Sequence, residues 1–311
     1  MHAMNKQRSS AARRLLAGWM LGWLCLASPM AHAAESAQGA QALRDKYQSL
    51  TQQLADNPFH RPLVLESTET PTTLRGDIYG VVDYPYAAVN SALNDPAQGP
   101  ANWCDVLILH LNIKYCHASS ASGGSLLDVN LGRKVEQPLS SGYPLQFTYH
   151  SAASSTAYFR VELSADTGPL STKDYRVVLE GIPAGGSHTF LHLTYAYGYG
   201  TAGRLAMSTY LATVGSDKVG FSTAADTLGA QPQYIGGVRG LLERNTMRYY
   251  LAIDAYLKAL SAAPDKRLQQ RLATWFNATE QYPRQLHEVE RQDYMVMKQH
   301  EVERQQTPQP Q

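Results

Sequence analysis

Nothing in this chain constrains its fold more than a change of period between residues 125–200 and the segment after them. From Ser125 to Gly200, apolar and polar residues alternate in short runs. SLLDVNLGRKV, PLQFTYHS, AYFRVELS, DYRVVLEGI and TFLHLTYAYGYG are separated by clusters of Ser, Gly, Asp and Pro. Period-two alternation marks strands buried on one face, and strands this closely spaced pair antiparallel in one sheet. The run from Gly237 to Leu260, GVRGLLERNTMRYYLAIDAYLKAL, then switches to the helical period. Leu242, Asn245, Tyr249, Ile253, Tyr256 and Leu260 recur three and four residues apart. A sheet with one apolar face and one long amphipathic helix bury both surfaces by lying on each other, an α+β layer structure.

Other segments read less sharply. Leu43, Tyr47, Leu50 and Leu54 put a helix at residues 35–56, stopped by Asn57-Pro58, and the polar ESTETPTT (Glu66–Thr73) reads as a linker. LRGDIYGVVDYP (Leu74–Pro85) is a strand with Ile78, Gly80 and Val82 on one face, and Pro85 opens a short helix. NWCDVLILHLNIKYC is a second short helix or a strand, and residues 203–214 form a further helix. On the long helix, Asp254 and Lys258 pair on the wet side. Residues 265–304 are polar and helical, with a thin stripe of Leu268, Leu272, Trp275, Phe276 and Leu286. HEVERQ occurs there twice, from His287 and from His300. An offset of 13 residues turns a helix by about 220°, so the copies share no face and read as solvated helix surface. The closing QQTPQPQ is a disordered tail.

Residues 1–33 read as a secretory signal. Lys6, Arg8, Arg13 and Arg14 precede the apolar run Leu15–Ser28, and Ala31-His32-Ala33 is a small-x-small cleavage site. The apolar run is short of the roughly 20 residues a membrane-spanning helix needs. The mature protein is therefore expected in the periplasm or outside the cell. Without the signal, 23 basic residues face 26 acidic ones, a poor balance for binding nucleic acid. Two cysteines remain, Cys104 and Cys116, and in an exported chain the favoured reading is a disulfide. Free thiols, or a metal held by Cys104, His110, Cys116 and His117, are the alternatives; their C-x5-H-x5-C-H spacing fits no common zinc pattern.

No hydrolase, P-loop or dinucleotide signature is present, so no catalytic residue, cofactor or metal is assigned. Two segments together carry a family resemblance. GDIYGVVDYPYAAVNSAL resembles the opening strand and helix of START-like, helix-grip proteins, the superfamily of birch-pollen-allergen-like and polyketide-cyclase-like folds. The Gly237–Leu260 run resembles their long closing helix. The resemblance covers about residues 70–262. It implies a curved antiparallel sheet gripping the long C-terminal helix, with a helical C-terminal extension. In domain terms, residues 1–33 are signal, 34–69 an N-terminal helix and linker, 70–262 the helix-grip domain, 263–304 the extension and 305–311 the tail. It also implies a hydrophobic tunnel holding a lipid-like ligand. The candidate wall is Tyr195, Tyr197 and Tyr199, from a chain with 19 tyrosines and six phenylalanines, together with Tyr249 and Ile253; Arg239 and Arg248 are candidates for its mouth. The expected role is a binding or carrier protein for a hydrophobic small molecule. Alternatives are an envelope protein partner bound through residues 265–304, or a cyclase-like enzyme.

Overall fold

The structure, a computed structural model, describes residues 29–201, 203–205, 207, 218–223 and 233–306, with side chains from Ala34 onward except Glu35. Most of the expected signal, most of the helix expected at 203–214 and most of the tail lie outside the described residues. The N-terminal helix is α1 (Pro29–Ser49), continued by α2 (Thr51–Ala55). Eight strands follow in one sheet, interrupted early by two short helices. They are β1 (Leu63–Glu69), β2 (Thr73–Val82), α3 (Tyr86–Asn94), α4 (Gly99–Leu107), β3 (Ile113–Ala121), β4 (Gly124–Leu131), β5 (Tyr143–Ser154), β6 (Phe159–Thr167), β7 (Thr172–Pro183) and β8 (Thr189–Tyr199). The long helix α5 (Gly237–Ala259) comes next, then α6 (Arg267–Thr279), α7 (Pro283–Leu286) and α8 (Arg291–Gln305).

The strands are antiparallel throughout, in the order β1-β2-β8-β7-β6-β5-β4-β3, and the curved sheet does not close. Strands β3 to β8 form a meander, and β8 returns to pair with β2 through Gly80–Leu191 and Ile78–Leu193. Helix α5 lies inside the curve. This is the helix-grip arrangement expected from residues 70–262. The stretch read as a linker is instead part of the sheet. Leu63–Glu69 pairs along its length with Leu74–Gly80, because an edge strand needs only one apolar face and can carry polar residues on the other.

Helix α5 packs chiefly on β1, β2 and β8, at one end of the sheet. Two glycines of β2 explain how closely it sits. A Cβ on Gly76 would come within 2.4 Å of the Thr246 hydroxyl, and one on Gly80 within 2.4 Å of the Tyr250 hydroxyl. Glycine here lets the helix backbone settle onto the strand. Helices α3 and α4 cover another part of the inner face, and α4 is tied to β3 by the disulfide Cys104–Cys116. Both thiols are consumed in that bond, so they are not metal ligands.

The outer face is also covered. Ala40, Leu43, Leu50 and Leu54 pack on Val64, Tyr79, Ile182 and Phe190. Beneath them is a polar cluster absent from the sequence reading. His192 is held between two carboxylates, 2.9 Å from Glu180 and 2.8 Å from Asp77, and Arg75 and Thr194 donate to Asp77. Burial disfavours the imidazolium, but its bonds to Asp77 and Glu180 outweigh that and raise the His192 pKa.

The C-terminal extension does not stand off in solvent. Leu272, Trp275, Phe276, Leu286, Tyr294 and Met297 belong to the main core. The Trp275 indole donates to the Arg248 carbonyl at 3.1 Å, joining α6 to α5. Asp254 does not pair with Lys258; it accepts from Arg61 at 3.1 Å, while Lys258 is exposed.

Candidate ligand cavity

Because α5 rests on one side of the curved sheet, the other side is left unfilled. A cavity of about 640 Å³ lies between the helix and β3, β4, β5, β7 and β8. Its sheet wall is aromatic. Tyr195 and Tyr197 alternate inward along β8, as their period predicts, and Tyr175 of β7 stacks on Tyr197 at 5.2 Å. Tyr249 of α5 meets Tyr195 edge-on at 5.2 Å, and His110 stacks on Tyr249 at 4.8 Å. Phe147 meets Tyr175 edge-on at 6.4 Å. The result is a continuous run of rings, completed by Leu145, Val177 and Ile113. Among the described residues, the hydroxyls of Tyr195 and Tyr249 make no hydrogen bond, so both remain available to a ligand.

The opposite side is charged. Lys134 comes from the loop after β4, Lys218 from the segment before α5, Arg244 and Asn245 from α5, and Glu288 from the segment before α8. Glu288 accepts from both Lys134 and Arg248, the latter at 2.8 Å. Burial and the neighbouring Arg248 push the Lys134 ammonium down to about 8, against the pull of Glu288. His110 is buried, and its Nδ1 accepts from the Asn112 backbone at 3.1 Å. That bond puts the proton of the neutral ring on Nε2. Burial, helped by Arg248 and Lys298, holds the ring neutral. Nε2 has no partner in hydrogen-bond geometry among the described residues, though the Asn245 side chain bears on it.

Three of the four large apolar side chains most exposed among the described residues line this cavity: Val135 (52%), Tyr143 (52%) and Leu170 (48%). The fourth, Leu205, is two residues from Met207, which also lines it. Leu170 adopts φ 55°, a left-handed backbone unusual for leucine. An apolar rim around an apolar cavity marks the entrance.

The structure places Tyr195, Tyr197 and Tyr249 on the wall, and Arg248 behind it, holding Glu288. It places the other expected wall residues elsewhere. Tyr199 lies beyond the end of the cavity, its hydroxyl donating to the Thr70 carbonyl at 2.8 Å. Ile253 is on the helical turn that packs into the main core. Arg239 reaches the β1 edge and donates to Ser67 at 2.8 Å. The residues missed were Lys134, Lys218, His110 and Glu288, which come from connecting segments with no periodic pattern. The HEVERQ repeat was a signal, but reading it as solvated surface was incorrect. Glu288 and Glu301 are both drawn into the fold as counter-ions, because each faces two cations supplied by distant segments.

Fold and cavity together define an α+β helix-grip protein with an internal amphipathic site. The chain is similar to Thalictrum flavum norcoclaurine synthase (16% identity, TM-score 0.32, covering 48% of this chain and 89% of that one). It is also similar to human StAR-related lipid transfer protein 5 (10% identity, TM-score 0.27, 53% and 83%). A third similarity is to CalU16 from Micromonospora echinospora (13% identity, TM-score 0.28, 70% and 96%). No family model matches the chain, and no curated protein sequence matches it.

Proposed function

We propose that this protein is a non-enzymatic carrier that holds a hydrophobic, lipid-like molecule between the sheet and α5, working in the periplasm or outside the cell after cleavage near Ala33. The cavity carries the reading. Its volume of about 640 Å³ falls in the range of small-molecule sites, roughly 300–1,000 Å³, and such sites have mostly apolar walls with a few convergent polar groups. The apolar rim gives a long-chain ligand a way in that avoids crossing a polar surface. The Cys104–Cys116 disulfide is consistent with an oxidising compartment. The envelope-partner reading loses support, since the apolar stripe of residues 265–304 is largely buried within the chain. A cyclase-like role is the weaker reading, since Nδ1 of His110 is already occupied by a backbone donor.

An environment-sensitive fluorescent lipid tests this. It should bind the mature protein saturably and be displaced by envelope lipid extract. Val177 lines the cavity, whereas Ala196 faces the outer side of the sheet and Ala252 does not line the cavity. Val177→Trp should therefore block binding while the domain stays folded. Undiminished binding by a folded V177W variant would refute the carrier reading.

A further inference from the structure

Resting on the carrier reading, we infer that the ligand bears a single anionic oxygen group, a carboxylate or a phosphate, held at the Lys134–Lys218 side of the cavity with its apolar body along the ring-lined sheet. Charge distribution is the first observation. Glu288 is the one carboxylate among the described lining residues, and it is shared between Lys134 and Arg248. Lys218 donates to the His287 carbonyl at 2.7 Å, a neutral partner, so Lys134, Arg248 and Lys218 share the single charge of Glu288. A positive excess beside an apolar wall is costly, and an anion arriving with the ligand offsets it. The second observation is independent of charge. The buried Nε2–H of His110, in a ring that lines the same cavity, has no partner in hydrogen-bond geometry among the described residues, and only the side chain of Asn245, itself on the wall, bears on it. An anionic oxygen accepts several such bonds at once, whereas an ester or ether oxygen accepts fewer and weaker ones.

The two sides also differ in origin. Among the described lining residues, the sheet contributes mainly aromatic and aliphatic side chains, while the helix and loops contribute every charged group. A ligand polar along its whole length, such as a sugar, would leave its hydroxyls facing Phe147, Leu145 and Val177. A ligand with no polar group would lay an apolar chain against the cationic side of the wall. An amphiphile with one anionic head satisfies both sides.

Three probes with the same fluorophore and alkyl chain make the test: a dansyl-labelled fatty acid, its methyl ester and the matching alkyl phosphate. The acid or the phosphate should bind at least about tenfold more tightly than the ester, since charge-assisted hydrogen bonds are roughly twice as strong as neutral ones. A tighter acid identifies a carboxylate ligand, and a tighter phosphate a phosphate ligand. Lys218→Gln and Lys134→Gln should each remove most of that preference. Glu288→Gln should strengthen acid binding, an outcome that a misfolded variant would not give. Equal affinities for all three probes would overturn the anionic head group and leave the carrier reading standing. If none of the three saturates, both fall.

Discussion

Glu288 and Glu301 occupy the same position in the two copies of HEVERQ, and each bridges two cations, yet they sit in opposite surroundings. Glu301 is sealed. It binds Lys114 at 2.9 Å and Lys298 at 2.7 Å, and all three side chains are at most 1% exposed. Lys298 also donates to the carbonyls of His110 and Ile113, so its bonding capacity is filled by protein. Glu288 binds Lys134 and Arg248 at the edge of a cavity, with Lys218 and His110 on the same wall. The sealed cluster fastens α8 to β3. The open one keeps unused hydrogen-bonding capacity directed at an empty volume. A repeated hexapeptide therefore does not imply a repeated role, since the space around the carboxylate decides it.

The largest expected effect comes from breaking the sealed cluster. Glu301→Ala leaves two lysines buried without a counter-ion and should cost about 3–5 kcal/mol in urea unfolding. Glu288→Gln should cost only about 1–2 kcal/mol, because Lys134 borders the cavity, where water can solvate it, and Arg248 keeps its bond to the Leu286 carbonyl. Equal losses would show that the two clusters do not differ in the way described.

Reducing the Cys104–Cys116 bond comes next. It frees α4 from β3, which carries Lys114 of the sealed cluster, and should cost about 3 kcal/mol in the chain-entropy model. Two free thiols in the denatured, unreduced protein would sink this expectation. Amide exchange after reduction should rise first in β3 and α8. An increase confined to the cavity loops would place the weaker attachment at the open cluster.

Folding stability and ligand binding should respond oppositely to alkaline pH. Burial, more than any neighbour, holds Lys298 down at about 8, against an ordinary value of 10.5. Between these values the unfolded chain keeps a proton that the folded chain has released, so stability rises with pH across that window. Lys298→Met should reduce the rise and leave the part due to Lys134 and Lys114, whose burial lowers them in the same direction. Lys134 also titrates at about 8, so it loses its charge over the same range and binding of the dansyl fatty acid should weaken there. Parallel trends in stability and binding would contradict the assignment of separate roles.

The smallest effect is a control on the surface of α5. Lys258 is exposed and remote from both clusters, so Lys258→Ala should shift stability by no more than about half a kcal/mol. Ile253→Asp, about one and a half turns from Arg248 on the same helix, buries an unpaired charge and should cost several times more.

Much of the fold was legible because periodicity is local. The alternation in TFLHLTYAYGYG put Tyr195 and Tyr197 on one face and His192 and Thr194 on the other, and the pairing of β8 with β2 and β7 keeps that division. Two cysteines outside the expected signal sufficed to name the disulfide. The charged half of the site was not legible, because Lys134, Lys218 and Glu288 lie in three connecting segments that share no pattern.

By itself, then, the sequence determined which residues of each strand and helix share a face, since a side chain's direction follows from backbone period alone. Only the tertiary structure decided which part of each face meets a partner and which meets a void. Gly76 and Gly80 draw α5 onto β2, and that offset opens the cavity beside β5 and β7. The same helical stripe thus gives Tyr249 to the cavity wall and Ile253 to the core. Burial and charge compensation depend on surfaces far apart in the chain, and no window along the sequence contains both.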